Sequence, residues 1–149
     1  MRKLLIAFTL AFTVNLQAGD RTHLRAQDAK LPGGNHHIGI QGDGETIHFY
    51  SNGTVEWEVS VKKAGKHRLV VIASCTEAKG GFAAFQVSVN GKTIGEPTTL
   101  KTTDRDDYGV DLELPKGRVK MEVGFINDLF AEEEYDRNLF VHKVILNAP

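Results

Sequence analysis

The chain of 149 residues contains a single cysteine, Cys75, so it cannot form an internal disulfide bond. Cys75 ends an alternating run of apolar residues, Leu69, Val71 and Ala73, on one face of a predicted strand. A thiol on such a face is predicted to be buried and inert rather than nucleophilic. Stability must therefore come from the hydrophobic core, and a single domain of this length can form one.

Helical periodicity is also missing, because no stretch after residue 20 repeats apolar residues every three to four positions. Apolar and polar residues instead alternate with a period of two, and Asn90-Gly91 supplies a strong hairpin signal. Strands are predicted over residues 46–50, 55–61, 67–75, 85–89, 108–114, 119–125 and 139–146. Short strands at this spacing predict an all-β sandwich or barrel that forms one domain over residues 19–149.

The N-terminus has the order of a secretory signal. Arg2 and Lys3 precede an apolar run that is followed by Ala18, and the run is too short to span a bilayer comfortably. We therefore expect residues 1–18 to be a signal peptide, no membrane span, and a secreted or periplasmic mature protein. Cleavage after Ala18 lowers the number of Lys and Arg from 18 to 16, against 19 Asp and Glu.

Several classes of site lack support in the sequence. The mildly acidic mature chain does not suggest the basic patch of a nucleic-acid binder, and no lysine follows Gly42-Asp43-Gly44 as in a phosphate loop. The histidines, including adjacent His36 and His37, lack transition-metal spacing. Glu56 and Glu58 have a separation compatible with a glycosidase pair, but we interpret them as solvated strand charges. We therefore predict no catalytic residues.

An acidic segment close to the C-terminus is the strongest functional signal. It lies between apolar runs at 119–126 and 139–146, and its five carboxylates belong to Asp128, Glu132, Glu133, Glu134 and Asp136. Like charges at such density repel, so the folded segment needs a cation, hydrogen bonds or full exposure to water. The segment predicts a site for a hard cation.

The same region carries a resemblance to a known family, in Phe125-Ile126-Asn127-Asp128 and in Asp136-Arg137-Asn138-Leu139-Phe140-Val141. These segments resemble the end of the calcium-dependent xylan-binding modules, carbohydrate-binding families 36 and 60. The segment 25–29 is similar to the opening of such modules, and 51–59 with Ala64-Gly65 to their second strand and its turn. The resemblance covers nearly the whole mature chain.

The resemblance implies an antiparallel β-sandwich of jelly-roll type that binds sugar through Ca²⁺. In those families the aspartates that match Asp128 and Asp136 ligate the ion with loop carbonyls, and vicinal sugar hydroxyls complete the shell. Ca²⁺ takes about six to eight oxygens, so few protein ligands leave positions open for a sugar. Tyr135, in the same loop, and Glu77, in a glycine-rich loop that comes near the ion in related modules, complete the expected metal ligands.

The chain departs from the family pattern in three places. Gln27 stands where such modules often carry a glutamate for a second, structural calcium ion, so we do not predict that second site. His142 stands where an acidic residue frequently follows the valine. Glu132 to Glu134 lengthen the loop between the two aspartates, and they orient it, supply an extra ligand through Glu134, or face solvent.

Aromatic side chains are expected to stack on the sugar. The expected sugar-binding residues are Tyr135, Phe130, Asn127 and Phe82. Trp57 alternates with Val55 and Val59 and is predicted to lie in the core, while Tyr50 and Tyr108 at strand ends are predicted to be structural.

Two functions remain open from the sequence. The first is a secreted, non-catalytic module that binds xylan or a related polysaccharide through calcium, with a separate carbohydrate-active enzyme as a second candidate partner. The alternative is a structural or protein-interaction domain in which calcium only neutralises and rigidifies the acidic loop. Glu132 to Glu134 favour the alternative slightly, because a site filled by carboxylates leaves no vacancy for sugar.

Overall fold

Alternating apolar residues place the strands in two antiparallel sheets. The fold was obtained as a computed structural model that describes residues 20–34 and 37–149, so the expected signal peptide and His36 lie outside the described residues. The larger sheet contains β1 (Arg21–Leu24), β2 (Ile38–Ile40), β3 (Ile47–Phe49), β5 (Gly65–Cys75), β9 (Asp106–Leu114) and β13 (Leu139–Asn147). Its order is β2-β3-β13-β5-β9, and β1 also pairs with β13.

The smaller sheet has the order β4-β10-β6-β7, and β8 also pairs with β6. Its members are β4 (Gly53–Val61), β6 (Ala84–Val89), β7 (Lys92–Thr93), β8 (Thr98–Thr99) and β10 (Gly117–Phe125). A separate hairpin is formed by β11 (Leu129–Ala131) and β12 (Tyr135–Arg137), and a short 3₁₀ helix spans Ala26–Asp28. Within the described residues, no helix is long and apolar enough to cross a membrane.

One core lies between the two sheets. Two edge-to-face aromatic pairs join them, Phe49 with Phe125 at 6.5 Å between ring centroids and Phe85 with Tyr108 at 6.3 Å. Trp57 is 2% exposed in this core, and its Nε1 donates a hydrogen bond to the carbonyl of Arg25 at 2.9 Å. The antiparallel β-sandwich is confirmed, as is the burial of Trp57.

The seven strands expected from the sequence are all present, and each differs by at most two residues at either end. Asn90-Gly91 forms the two-residue hairpin turn between β6 and β7, with both residues at positive φ. Cys75 is buried, and burial raises the pKa of its thiol. The acidic segment differs from expectation: it is not an open loop but the hairpin of β11 and β12, in which Phe130 pairs with Asp136.

A β-bulge interrupts β13 at His142, because Val141 pairs with Ala73 while Lys143 pairs with Ile72. The Nε2 atom of His142 lies 2.7 Å from Ser74 Oγ, and Nδ1 lies 3.2 Å from Thr46 Oγ1. Thr46 donates its only hydroxyl hydrogen to Asp43 at 2.6 Å, so it accepts from Nδ1–H. Nδ1 of His142 therefore carries a hydrogen, and Nε2 shares a hydrogen bond with the hydroxyl of Ser74.

This hydrogen-bonded histidine borders a pocket of about 200 Å³ that Gln27 and Trp57 also line. Gln27 and His142, two of the positions expected to depart from the family pattern, thus lie at the same place in the fold. Burial lowers the pKa of His142, the nearby Arg105 lowers it further, and Asp43 opposes both.

The lowered pKa of His142 predicts how the stability of the protein depends on pH. A histidine whose pKa is lowered by folding gives stability that is lost as the pH falls from the ordinary value near 6.5 through the folded value, because the unfolded chain then binds the extra proton. We expect the unfolding midpoint to drop between about pH 7 and 5, and His142→Asn to reduce that drop. Exposed His23→Asn is the control, and an equal drop in wild type and His142→Asn would contradict the account.

Candidate metal and sugar site

A shallow pocket of about 450 Å³ lies at the edge of the sandwich where several strands begin or end. Tyr50 and Ser51 follow β3, Asp128 follows β10, and Asn138 immediately precedes β13. The lining residues are His37, Tyr50, Ser51, Asp128, Phe130, Asp136 and Asn138. The pocket therefore combines two carboxylates, one amide and two aromatic rings.

Oxygen atoms without hydrogen-bond donors mark this pocket. Among the described residues, Oδ1 of Asp128 and Oδ1 of Asn138 are buried and have no hydrogen-bond partner. The Nδ2 atom of Asn138 donates to Oδ2 of Asp136 at 2.8 Å, which connects these two side chains. Buried oxygens normally find a donor, so a set that lacks donors fits a hard cation such as Ca²⁺.

The electrostatics of the pocket agree with this geometry. Burial raises the pKa of the Asp128 carboxyl, and the negative charge of Asp136 raises it further. The backbone N–H of Leu129, Arg137 and His37 act in the opposite direction but do not cancel the increase. The charged form of Asp128 is therefore disfavoured in the protein alone, and a bound cation would stabilise it.

Hydrogen bonds from neighbouring segments fix the backbone at Asp128. Its N–H donates to Oδ1 of Asn52 at 2.8 Å. The preceding residue, Asn127, accepts a hydrogen bond from the N–H of Ala84 at 2.7 Å and donates one to the carbonyl of Phe82 at 3.0 Å. Asn127 thus uses both polar groups of its side chain to connect the end of β10 to the start of β6.

Extended backbone explains which residues of the second segment reach the pocket. Successive side chains of a strand point to opposite faces, so Asp136 and Asn138 share the pocket side while Tyr135 and Arg137 lie on the other. Asn138 was not among the ligands expected from the sequence. The signal that could have identified it is its position two residues after Asp136.

The pocket brings together only some of the expected site residues, namely Asp128, Asp136 and Phe130. Phe82 packs partly buried against the core. Tyr135 lies beneath Lys79, whose Nζ is 4.8 Å from the centroid of the tyrosine ring. Glu77 is exposed in the loop after β5 and does not line the pocket. The sugar-binding or metal-binding roles of these residues stay predictions.

Tyr50, expected to be structural, is 42% exposed and lines the pocket. Its ring stacks on His48 with 4.4 Å between centroids and meets Phe140 edge to face at 6.1 Å. Phe130, from the hairpin, is 65% exposed. Two aromatic side chains held on different segments thus border the two carboxylates.

The glutamates that lengthen the acidic segment lie away from the pocket. Glu132, Glu133 and Glu134 are exposed in the turn between β11 and β12, where Glu133 adopts a positive φ of 60°. Among the described ranges 20–34 and 37–149, no three His, Cys, Asp or Glu side chains gather as a metal group. The pocket itself offers two carboxylates and a neutral amide oxygen, a small set that fits Ca²⁺ while leaving coordination positions open.

Solved structures with the same fold define the class of protein. The chain matches the first CBM36 domain of a multidomain xylanase from the hindgut metagenome of Trinervitermes trinervoides (TM-score 0.64, 11% identity, 87% of this chain and 98% of that one). It also matches a CBM36 module in complex with calcium and xylotriose (TM-score 0.63, 16% identity, 85% and 99%). A third match is an exo-β-1,3-galactanase from Phanerochaete chrysosporium (TM-score 0.61, 16% identity, 87% and 29%). The fold is that of a carbohydrate-binding-module β-sandwich.

Sequence comparison gives the family. The model of CBM60, described as a Ca-dependent, xylan-binding carbohydrate-binding module, matches residues 68–149, just over half of the chain. The protein therefore belongs to the CBM60 family of non-catalytic carbohydrate-binding modules. The matched part includes Asp128, Asp136 and Asn138. A search of curated proteins gave no match.

The disfavoured charge on Asp128 gives a testable prediction for the protein without calcium. Asp128→Asn keeps the shape and removes one of two neighbouring negative charges, so we expect its unfolding midpoint in EDTA at neutral pH to be higher than that of wild type. A carboxyl with a raised pKa destabilises the fold increasingly as the pH rises through that pKa, so the difference should shrink on acidification. Exposed Asp107→Asn is the control. A midpoint for Asp128→Asn at or below that of wild type would show that the two carboxylates do not repel in the pocket.

Proposed function

We propose that this protein binds a xylan-type polysaccharide through a calcium ion held by Asp128, Asp136 and Asn138, and that it has no catalytic activity of its own. The observation that carries this proposal is the pair of buried oxygens without a donor, Oδ1 of Asp128 and Oδ1 of Asn138, on two residues that line one open pocket. Membership of a calcium-dependent, xylan-binding family supports both the ion and the class of ligand.

The residues of the pocket have distinct tasks in this proposal. Asp128 and Asp136 supply the negative charge that a divalent cation needs, and Asn138 supplies a neutral oxygen while its Nδ2 orients Asp136. Vicinal hydroxyls of the sugar would coordinate the bound Ca²⁺ at positions that the protein leaves open. Tyr50 and Phe130 would contact the apolar CH faces of the sugar rings.

The alternative, a calcium ion that only rigidifies an acidic loop, fits the structure less well. It would be favoured by carboxylates crowded around the ion, but Glu132 to Glu134 are exposed in the hairpin turn. The exposed rings of Tyr50 and Phe130 also border the pocket, as expected for a site that receives a sugar.

The carboxylates Glu56 and Glu58 do not support a hydrolase. Both lie on β4, where Glu58 approaches Arg118 at 3.4 Å and Glu56 approaches Lys120 at 3.8 Å. Neither lines the pocket at the edge of the sandwich. We interpret them as surface ion pairs that contribute little.

We propose further that the protein is exported by the signal peptide expected at residues 1–18 and meets its polysaccharide in the periplasm or outside the cell. A separate carbohydrate-active enzyme is its proposed partner in function. The match to the exo-β-1,3-galactanase supports this partner, because the matched fold covers only 29% of that enzyme and thus occurs there beside other parts of the chain.

The coupling between ion and sugar tests the proposed function. Asp136→Ala removes a carboxylate from the pocket, and we expect it to lose both calcium binding and retention on xylan in affinity electrophoresis, while circular dichroism stays that of a β protein. Asp107→Ala removes the same charge from β9 and should behave as wild type. If Asp136→Ala lost calcium yet bound xylan normally, the calcium would be structural.

The aromatic residues give a second prediction for the same site. Tyr50→Ala and Phe130→Ala should each weaken binding of a xylo-oligosaccharide by roughly 1 kcal/mol, about fivefold, through lost ring contact. Neither should change calcium affinity measured without sugar by calorimetry. Ile126→Ala is a matched control, since Ile126 is 43% exposed and does not line the pocket. Unchanged sugar affinity in both pocket variants would exclude these rings as the platform.

A further inference from the structure

Arg137 stands between Asp136 and Asn138 in the sequence but extends to the opposite side of the strand. Its guanidinium donates three hydrogen bonds, all to backbone carbonyls: Nη2 to Ala78 at 2.7 Å, Nη1 to Asn127 at 3.0 Å, and Nε to Gly81 at 3.2 Å. One side chain therefore joins the segment that carries Asp136 and Asn138 to two others. These are the loop after β5 and the residue that precedes Asp128.

Gly81 leaves room for the guanidinium of Arg137 because it has no side chain. A Cβ atom built on Gly81 would lie 2.7 Å from Nη2 of Arg137 and 3.4 Å from its Cζ, so any side chain there would displace the guanidinium. Gly81 does not have a positive φ, so its backbone conformation alone does not require glycine. The space that the missing side chain leaves is what the guanidinium needs.

Further contacts make the loop after β5 a support for the same segment. Thr76 Oγ1 donates to the carbonyl of Asp136 at 2.6 Å and accepts from the N–H of Asn138 at 2.8 Å. The N–H of Thr76 donates to the carbonyl of Asn138 at 3.1 Å. These bonds and those of Arg137 fix the backbone on both sides of the pocket oxygens.

The charge of Arg137 has the wrong sign for a residue that attracts a cation. A guanidinium close to Asp128 repels Ca²⁺, and its positive charge partly offsets the negative charge with which the carboxylate attracts the ion. Its planar fork can, however, hold several carbonyls in fixed directions, which the single ammonium of lysine cannot do. The contacts therefore point to a geometric role.

We propose that Arg137 is a positioning residue for calcium: by clamping the carbonyls of Ala78, Gly81 and Asn127, it holds Asp128, Asp136 and Asn138 at the separation that the ion requires. This inference rests on the proposed function, because it presumes that calcium binds in the pocket. Groups behind the ligands commonly change metal affinity by about 10- to 100-fold when they are removed.

The sign of the effect on calcium affinity tests the clamp. Arg137→Met removes a positive charge near the ion, so charge alone predicts tighter binding. The clamp predicts that Ca²⁺ binds at least about tenfold more weakly in calorimetry without sugar. Arg137→Lys, which keeps the charge but not the fork, should also bind more weakly. Arg118→Met is the control, because Arg118 is an exposed arginine on β10 and carries the same charge.

Gly81→Ala tests the same contact without changing any charge. The added methyl group should displace the guanidinium and weaken calcium binding in the wild-type background, but should add nothing in the Arg137→Met background, because the contact is already lost. Gly81→Ala alone decides the question if Arg137→Met fails to fold. Additive effects of the two substitutions would overturn the clamp.

Further measurements distinguish a failure of this inference from a loss of stability and from a failure of the proposed function. The unfolding midpoint in EDTA is recorded for each variant, since a merely structural arginine would lower the midpoint and leave calcium affinity of the folded protein unchanged. Calcium affinity in Arg137→Met equal to or tighter than wild type would overturn the clamp but leave the proposed function intact. A wild-type protein that takes up no calcium would overturn both.

Discussion

The repulsion between Asp128 and Asp136 is the constraint around which the edge of this sandwich is organised. Two carboxylates share a partly buried pocket with an amide, and Oδ1 of Asp128 and Oδ1 of Asn138 lack donors. Such an arrangement does not persist without support, because each charge would move toward water if its backbone were free. Two hydrogen bonds provide that support: the N–H of Asp128 donates to Oδ1 of Asn52, and Oγ1 of Thr76 donates to the carbonyl of Asp136.

Extended backbone places the pocket side chains and the side chains that contact the neighbouring loop on opposite sides of one segment, residues 135–138. Side chains at 136 and 138 face the pocket, while those at 135 and 137 face the loop after β5. The motif Asp-Arg-Asn therefore presents Asp136 and Asn138 on the pocket side of the strand and Arg137 on the other side. A helix could not alternate functions in this way over three residues, because its side chains fan around the axis.

The core and the site are adjacent but are formed by different kinds of side chain. The core is formed by apolar side chains of two sheets, such as Phe49 and Phe125, which are buried and pair edge to face. The site lies where strands end, with exposed Phe130 and Tyr50. Because the hydrophobic burial that stabilises the sandwich does not depend on the pocket, the edge can carry unsatisfied oxygens that a core could not tolerate.

The sequence by itself determined an all-β sandwich or barrel, seven strands to within two residues, the burial of Trp57 and the acidic segment with Asp128 and Asp136. These follow from periodicity and from charge density, which are local properties. Only the tertiary structure decided that Asn138 and Tyr50 join the pocket, that the ring of Tyr135 lies under Lys79, and that Arg137 contacts three carbonyls. Those facts depend on which strand ends meet at one edge, and strand pairing between distant segments leaves no periodic signal in the sequence.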